Sequence, residues 1–198
     1  MRILITGAFG QLGRALYKTL SSSHKVTLTG KVLPKNAIGL KMDIQDKLNI
    51  QQIIELVRPE IIINLAALTN VDECEKNIAF AREVNTGGII NLCDCFNGKI
   101  IQISTDYVFN GEKGPYLEDD KVSPISVYGK TKLDAERIVM NNNPNNLVLR
   151  TNVLYDYINH TNASFLNWII NSLKNDNPIK VVTDQINNPT WTYSFSDI

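Results

Sequence analysis

Two rhythms of apolar and polar residues alternate along this chain. Arg2–Thr6 is a short apolar run that ends at a glycine, the pattern of a buried strand. From Gln11 to Leu20 the spacing turns helical, through Leu12, Ala15, Leu16 and Leu20. Val26–Thr29 reads as a second strand, and Ile38–Met42 as a weaker third one that closes on Asp43. Lys47–Val57 is helical, with Ile50, Ile53, Ile54 and Val57 on or near one face. Glu60–Ala66 is a strongly apolar strand. Val71–Phe96 reads as one long helical stretch, broken at Gly87-Gly88. A strand over Lys99–Ser104, a helix within Ile125–Met140, a strand over Leu147–Arg150, a helix over Phe165–Leu173 and a short strand over Ile179–Val182 complete the reading. Strands that alternate with helices predict an α/β fold: a doubly wound parallel sheet with helices on both faces.

Composition narrows the function classes. The 198 residues suit one domain, and 43% hydrophobic content is enough for a core. Twenty basic residues balance twenty acidic ones, so the basic excess of a nucleic-acid surface is absent and no nucleic-acid partner is expected. No apolar run approaches the ~18 residues of a membrane span, and the N-terminus turns polar too early for a signal peptide. A cytoplasmic protein is therefore expected. Cys74, Cys93 and Cys95 form no C-x-x-C pair and read as reduced thiols. His24 and His160 are isolated, so no metal is expected. The sequons at Asn159 and Asn162 read as chance products of an Asn-rich chain.

Gly7-Ala8-Phe9-Gly10-Gln11-Leu12-Gly13 follows the first strand and opens the first helix. Glycines there permit a tight turn and a close backbone approach to a pyrophosphate, and the helix N-terminus offers it unpaired N–H groups. The spacing is G-x-x-G-x-x-G. About 20 residues past such a turn, an NAD site places an acidic residue on the ribose 2′-hydroxyl. Here Lys31 stands after Thr29-Gly30, with Arg14 close to the turn. These cations would attract a 2′-phosphate, so NADP(H) is the expected cofactor and NAD(H) the other option. Asp43, after the third strand, reads from its position alone as the N-cap of the helix that follows.

Tyr128 and Lys132 are four residues apart, hence on one face of a helix. An ammonium beside a phenol favours the phenolate. Bringing a tyrosine from ~10 to ~7 requires about 4 kcal/mol of differential stabilisation. Such a phenol can donate a proton to a carbonyl oxygen while hydride reaches its carbon. Thr105, in Ser104-Thr105-Asp106-Tyr107-Val108-Phe109, lies at a strand's carboxyl end, where ligands of open α/β sheets gather.

The resemblance these segments carry is specific. Ser104–Phe109, then Tyr128-Gly129-Lys130-Thr131-Lys132-Leu133, then Arg150-Thr151, then Val182-x-Asp184-Gln185 with Pro189-Thr190 follow the order seen in one family. Asn64–Asp72 fits as well. The chain resembles the extended short-chain dehydrogenases/reductases, within them the dTDP-4-dehydrorhamnose reductase family, over residues 1 to about 190. The resemblance implies a Rossmann-type domain over 1–198 and the catalytic trio Thr105, Tyr128 and Lys132. Lys132 would also hold the nicotinamide ribose. It implies cofactor contacts at Gly7, Phe9, Gly10, Gln11, Leu12, Gly13, Lys31, Asp43, Ile44, Ala66, Ala67 and Thr69, with Asn85 supporting the site. The implied reaction is NADPH-dependent reduction of the 4-keto group of a nucleotide-activated 6-deoxy sugar, with Tyr128 as general acid. Two alternatives stay open. One is a non-catalytic NADP-binding regulatory subunit resembling the β subunit of methionine adenosyltransferase. The other is a nucleotide-sugar epimerase or dehydratase. A homodimer is an open option.

Three departures stand out. Asn152-Val153 follows Arg150-Thr151 where the family carries Ser-Trp, which bears on the substrate rather than the chemistry. Asn187 stands where a glycine precedes Pro-Thr, and Asn tolerates left-handed backbone. Relatives continue for roughly a further third as a small substrate-binding domain. The expectation is therefore that this domain is missing or truncated, with about 151–198 contributing segments shared with it.

Overall fold

The computed structural model describes residues 1–156 and 165–197. His160 and the two sequons lie outside the described residues. The chain opens with strand β1 (Arg2–Thr6), helix α1 (Gln11–Leu20), β2 (Lys25–Gly30), β3 (Leu40–Lys41), α2 (Lys47–Val57) and β4 (Ile61–Asn64). Three helical pieces follow: α3 (Val71–Lys76), α4 (Ile78–Arg82) and α5 (Gly88–Cys95), the last two joined by a π-helical turn over Glu83–Gly87. Next come β5 (Lys99–Thr105), a 3-10 turn over Asp106–Val108, α6 (Val127–Asn142) and β6 (Leu147–Thr151). The described chain ends with β7 (Leu154–Tyr155), α7 (Phe165–Lys174), β8 (Thr190–Trp191) and α8 (Thr192–Ser196).

Six strands form one sheet in the order β3-β2-β1-β4-β5-β6, every pair parallel. This is the doubly wound Rossmann order, and the direction of winding reverses between β1 and β4. Each face buries its own apolar cluster. Leu4, Ile62 and Ile100 point to one side, against Ile50 and Ile53 of α2, Ile89 and Leu92 of α5 and Val139 of α6. Ile3, Ile5, Ile63 and Ile103 point to the other, against Leu12 and Leu16 of α1. The period-two alternation of β1 thus serves both layers at once. Helix α8 closes over α1 through Phe195, a Thr19–Ser196 hydroxyl contact of 2.9 Å and Lys18 over the Tyr193 ring.

Four elements differ from the pattern-based reading. The stretch over 71–96 breaks at Asn77 and not at Gly87-Gly88: Asn77 ends α3 and its side chain caps α4 by accepting from Phe80 N at 3.1 Å. Gly88 instead marks a close approach, since a Cβ there would come within 2.4 Å of the Ile44 side chain. The third strand is shorter than Ile38–Met42, because Ile38 faces solvent. No strand forms over Ile179–Val182, where Val181 and Val182 are exposed; the small extra sheet pairs β7 with β8.

Gly13 fixes how closely α1 lies on β1. A Cβ there would sit 2.2 Å from the Ala8 carbonyl oxygen, which is backbone and cannot swing away. Gly13→Ala should therefore cost about 1–3 kcal/mol of stability or more. Urea unfolding measures this, and a variant as stable as the parent would show that α1 is not seated as described.

Candidate active site

A cleft of about 670 Å³ opens at the carboxyl ends of β1, β4 and β5, where the winding reverses. At one end lies the glycine turn. Gly7 adopts φ +59°, and a Cβ on it would meet Ala66 N at 2.7 Å, so only glycine lets this turn touch the end of β4. Gly10 caps α1 without a side chain, and a Cβ there would find nothing nearer than 3.7 Å. The N-terminal N–H groups of α1 therefore face open space. That cradle fits an anionic pyrophosphate.

Beyond the turn, Lys31 and Asp43 line the same cleft and pair at 2.8 Å, with Lys31 also donating to Gln45 Oε1 at 2.9 Å. Asp43 is not the cap of α2. That role belongs to Asp46, which accepts from Asn49 N at 3.0 Å. Asp43 accepts from Gln45 N instead and leaves its side chain at the cleft. Ile44, Ala66, Ala67 and Thr69 line it as well.

The other end holds Thr105, Tyr128 and Lys132. Ser126 caps α6 by accepting from Gly129 N at 3.0 Å, which sets Tyr128 on the first turn. Gly129 lets that turn approach β5's end: a Cβ on it would lie 2.2 Å from the Tyr107 carbonyl oxygen. The Thr105 hydroxyl accepts from Tyr107 N at 3.2 Å and donates to Asp106 at 3.1 Å, with Tyr128 lining the cleft beside them. Lys132 is buried and donates to the Ile103 carbonyl at 2.6 Å. Burial pushes the Tyr128 phenol up to about 12, against the pull of the Thr105 hydroxyl, with Cys74, Asp106 and Tyr107 adding to the rise. Burial also pushes the Lys132 ammonium down to about 8, with Glu136 opposing. The expected lowering of Tyr128 by Lys132 is thus absent in the free protein, because the ammonium is spent on a strand carbonyl and desolvation dominates.

Neither Phe9, expected at the cofactor, nor Asn85, expected to support the site, lines the cleft itself. The Phe9 ring lies over Gly30 and Gly39, where an added Cβ would come within 2.8 and 2.7 Å of it, so it packs on the edge strands. Asn85 sits behind the wall. It accepts from Leu68 N at 2.7 Å and donates to Leu68 O and to Thr131 at 3.1 and 3.0 Å, tying the segment after β4 to α6. Sequence reasoning missed Thr6, Asn64 and Gln102, buried polar residues whose side chains link β1, β4 and β5 directly beneath the cleft. Their signal was a polar residue at a core-facing strand position. Among the described residues no group of His, Cys, Asp or Glu is arranged to hold a metal, and no helix is long and apolar enough to cross a membrane.

The depressed Lys132 has a consequence for stability. The unfolded chain holds this proton up to its ordinary 10.5, the folded chain only up to about 8. Between those values unfolding takes up a proton, so the stability contribution of Lys132 rises with pH through that window. The stability difference between the parent and Lys132→Met should move in the parent's favour from pH 7.5 to pH 10. Denaturant unfolding at both values tests it, and a flat or opposite trend would contradict the burial of a charged Lys132.

Comparisons with known proteins place this geometry. The family model described as the RmlD substrate binding domain matches residues 1–198. The chain is 36% identical over 202 residues to a dTDP-4-dehydrorhamnose reductase of Aggregatibacter actinomycetemcomitans, covering 100% of this chain and 65% of that protein. It is 38% identical over 157 residues to methionine adenosyltransferase 2 subunit beta of Mus musculus, covering 78% of this chain and 47% of that one. A crystal structure of a dTDP-4-dehydrorhamnose reductase from Bacillus anthracis in complex with NADP superposes with TM-score 0.87 at 34% identity, covering 99% of this chain and 68% of that one. The Clostridium acetobutylicum reductase superposes with TM-score 0.87 at 39% identity, covering 100% and 68%. The chain thus spans about two thirds of the length of these reductases. With fold and sequence both matching, this chain belongs to the RmlD family and is a homologue of the dTDP-4-dehydrorhamnose reductases.

Proposed function

We propose that this chain forms the cofactor-binding and proton-donating part of an NADP(H)-dependent reductase of a nucleotide-activated 4-keto-6-deoxy sugar. The observation that carries the reading is one continuous cleft, with an anion-binding glycine turn at one end and Thr105, Tyr128 and Lys132 at the other. A bound nicotinamide cofactor supplies hydride to the carbonyl carbon. Tyr128, protonated at neutral pH because it is buried, donates its proton to the carbonyl oxygen. Thr105 steers that oxygen toward the phenol. Lys132, held by Ile103 O, keeps a positive charge near the phenolate that forms and offers its remaining donors to a ribose. Ala66 and Ala67 leave room for a flat ring along the end of β4. Lys31 and Arg14 favour a 2′-phosphate over a free hydroxyl.

Two measurements test this. In a version extended to the full length of the reductases it resembles, Tyr128→Phe should keep NADPH binding and lose on the order of 10²-fold or more in turnover of a dTDP-4-keto-6-deoxy sugar; turnover that survives would remove Tyr128 from its role. Calorimetry should give tighter binding of NADPH than of NADH, with Lys31→Ala narrowing the gap; tighter NADH would refute the cofactor assignment. A second reading, a cofactor-binding regulatory subunit, draws on the 38% identity to the methionine adenosyltransferase subunit. It predicts NADPH binding with no reduction of any such sugar nucleotide by the parent chain.

A further inference from the structure

Behind the trio, away from the cleft, lies a buried ion pair that the proposed chemistry does not use. Glu136 is one helical turn past Lys132 on α6 and is 5% exposed. Both of its carboxylate oxygens are taken by Arg150 of β6, at 3.0 Å to Nε and 2.8 Å to a terminal nitrogen. Arg150 does more than pair. Its other terminal nitrogen donates to the Glu118 carbonyl at 2.9 Å, and its guanidinium lies 5.2 Å from the centre of the Phe109 ring. Phe109 stacks on Tyr116 at 4.3 Å, and the Tyr116 hydroxyl donates to Asn110 at 2.8 Å. One guanidinium therefore holds the long connection between the 3-10 turn and α6 at two places.

A bare cation in this position would disfavour a second buried ammonium nearby. A bare carboxylate would be expensive to bury. The surroundings of Lys132 leave few other charges to balance it. Its own helix supplies Tyr128 and Glu136, β5 supplies the neutral Ile103 carbonyl, β6 supplies Arg150, and the turn after β5 supplies Asp106 and Tyr107, which act on Tyr128.

We propose that Glu136 is a positioning residue for Lys132, keeping the charge behind it balanced while its bidentate grip on Arg150 fixes the connection that carries Phe109 and Glu118. The role rests on the reductase reading for its importance, but its electrostatic content does not depend on that reading. Removing Glu136 leaves Arg150 unopposed and should destabilise the Lys132 cation. Removing Arg150 leaves Lys132 as the cation nearest a freed carboxylate and should stabilise it. A pair that only buttressed the fold would not move Lys132 in opposite directions.

The experiment uses the whole chain with ¹³C-labelled lysine, and Lys132→Met to assign the signal. The Lys132 titration is followed by NMR in the parent, Glu136→Gln, Arg150→Met and the double variant, with thermal unfolding alongside. The expected result is a fall of about one pH unit in Glu136→Gln, a rise in Arg150→Met, and a return toward the parent in the double variant. Movement of either folded single variant with the stated sign supports the proposal. No movement, or movement of both in one direction, overturns it. If neither single variant folds, a double variant that titrates like the parent supports it, and one displaced from the parent overturns it. Calorimetry with NADPH on the same samples separates the two questions: a parent chain that fails to bind NADPH while Lys132 still shifts as stated sinks the reductase reading alone.

Discussion

Beneath the cleft, the carboxyl ends of β1, β4 and β5 are locked together by side chains rather than by apolar contact. The Thr6 hydroxyl donates to Asn64, the Asn64 amide donates to Gln102 at 2.7 Å, and the Gln102 amide donates to Ile103 O at 2.7 Å. Lys132 ends the chain on that same carbonyl at 2.6 Å. All of these side chains are buried. A buried donor or acceptor left without a partner costs about 1–3 kcal/mol. A slip of one strand by a residue would turn each of these groups to the other face and orphan several at once. The ladder therefore selects one register, and that register places the glycine turn and Lys132 in the same cleft.

The same hydroxyl of Thr6 also accepts from Ala66 N at 3.3 Å, at the point where Gly7 leaves β1 with positive φ. The turn and the segment after β4 thus share an anchor. Asn85 repeats the device on the far wall, tying Leu68 to α6. The π-helical turn that contains Asn85 shifts the helical phase just before α5, and this sets its amide toward Leu68 and Thr131 rather than toward solvent. Structure at the site is thus held by polar groups whose partners lie 17 to 60 residues away in sequence.

That distance explains what was legible in the sequence. The strands with apolar residues on both faces and α1 with its single stripe could be read locally, because periodicity is a local signal. The glycine turn was legible because Gly7 and Gly13 each answer a backbone demand and Gly10 keeps their spacing. Asn77 was not seen as a break, because a polar residue on a helix surface looks the same as a cap until the backbone is known. Val181 and Val182 carried strand propensity with no neighbouring strand to satisfy it. Phe9, between two of the glycines, looked like part of the turn, yet its ring is drawn to the bare surface at Gly30 and Gly39. The Glu136–Arg150 pair could not be read locally, since it joins α6 to β6 across 14 residues.

The charges at the trio complete the physical picture. A phenol held near 12 is a poor source of phenolate but a secure store for one proton. An ammonium held near 8 is marginal as a cation in an empty, dry site. The proposed proton donation would reverse both conditions, because it would leave a phenolate four residues from that ammonium on the same helix, where each would stabilise the other. The site is consequently poorly matched to its resting charges and better matched to those that develop during reaction, which is where interaction energy accelerates chemistry. Burial, which raises one group and lowers the other, is the common cause, and α6 sets their separation, since they stand four residues apart on that one helix.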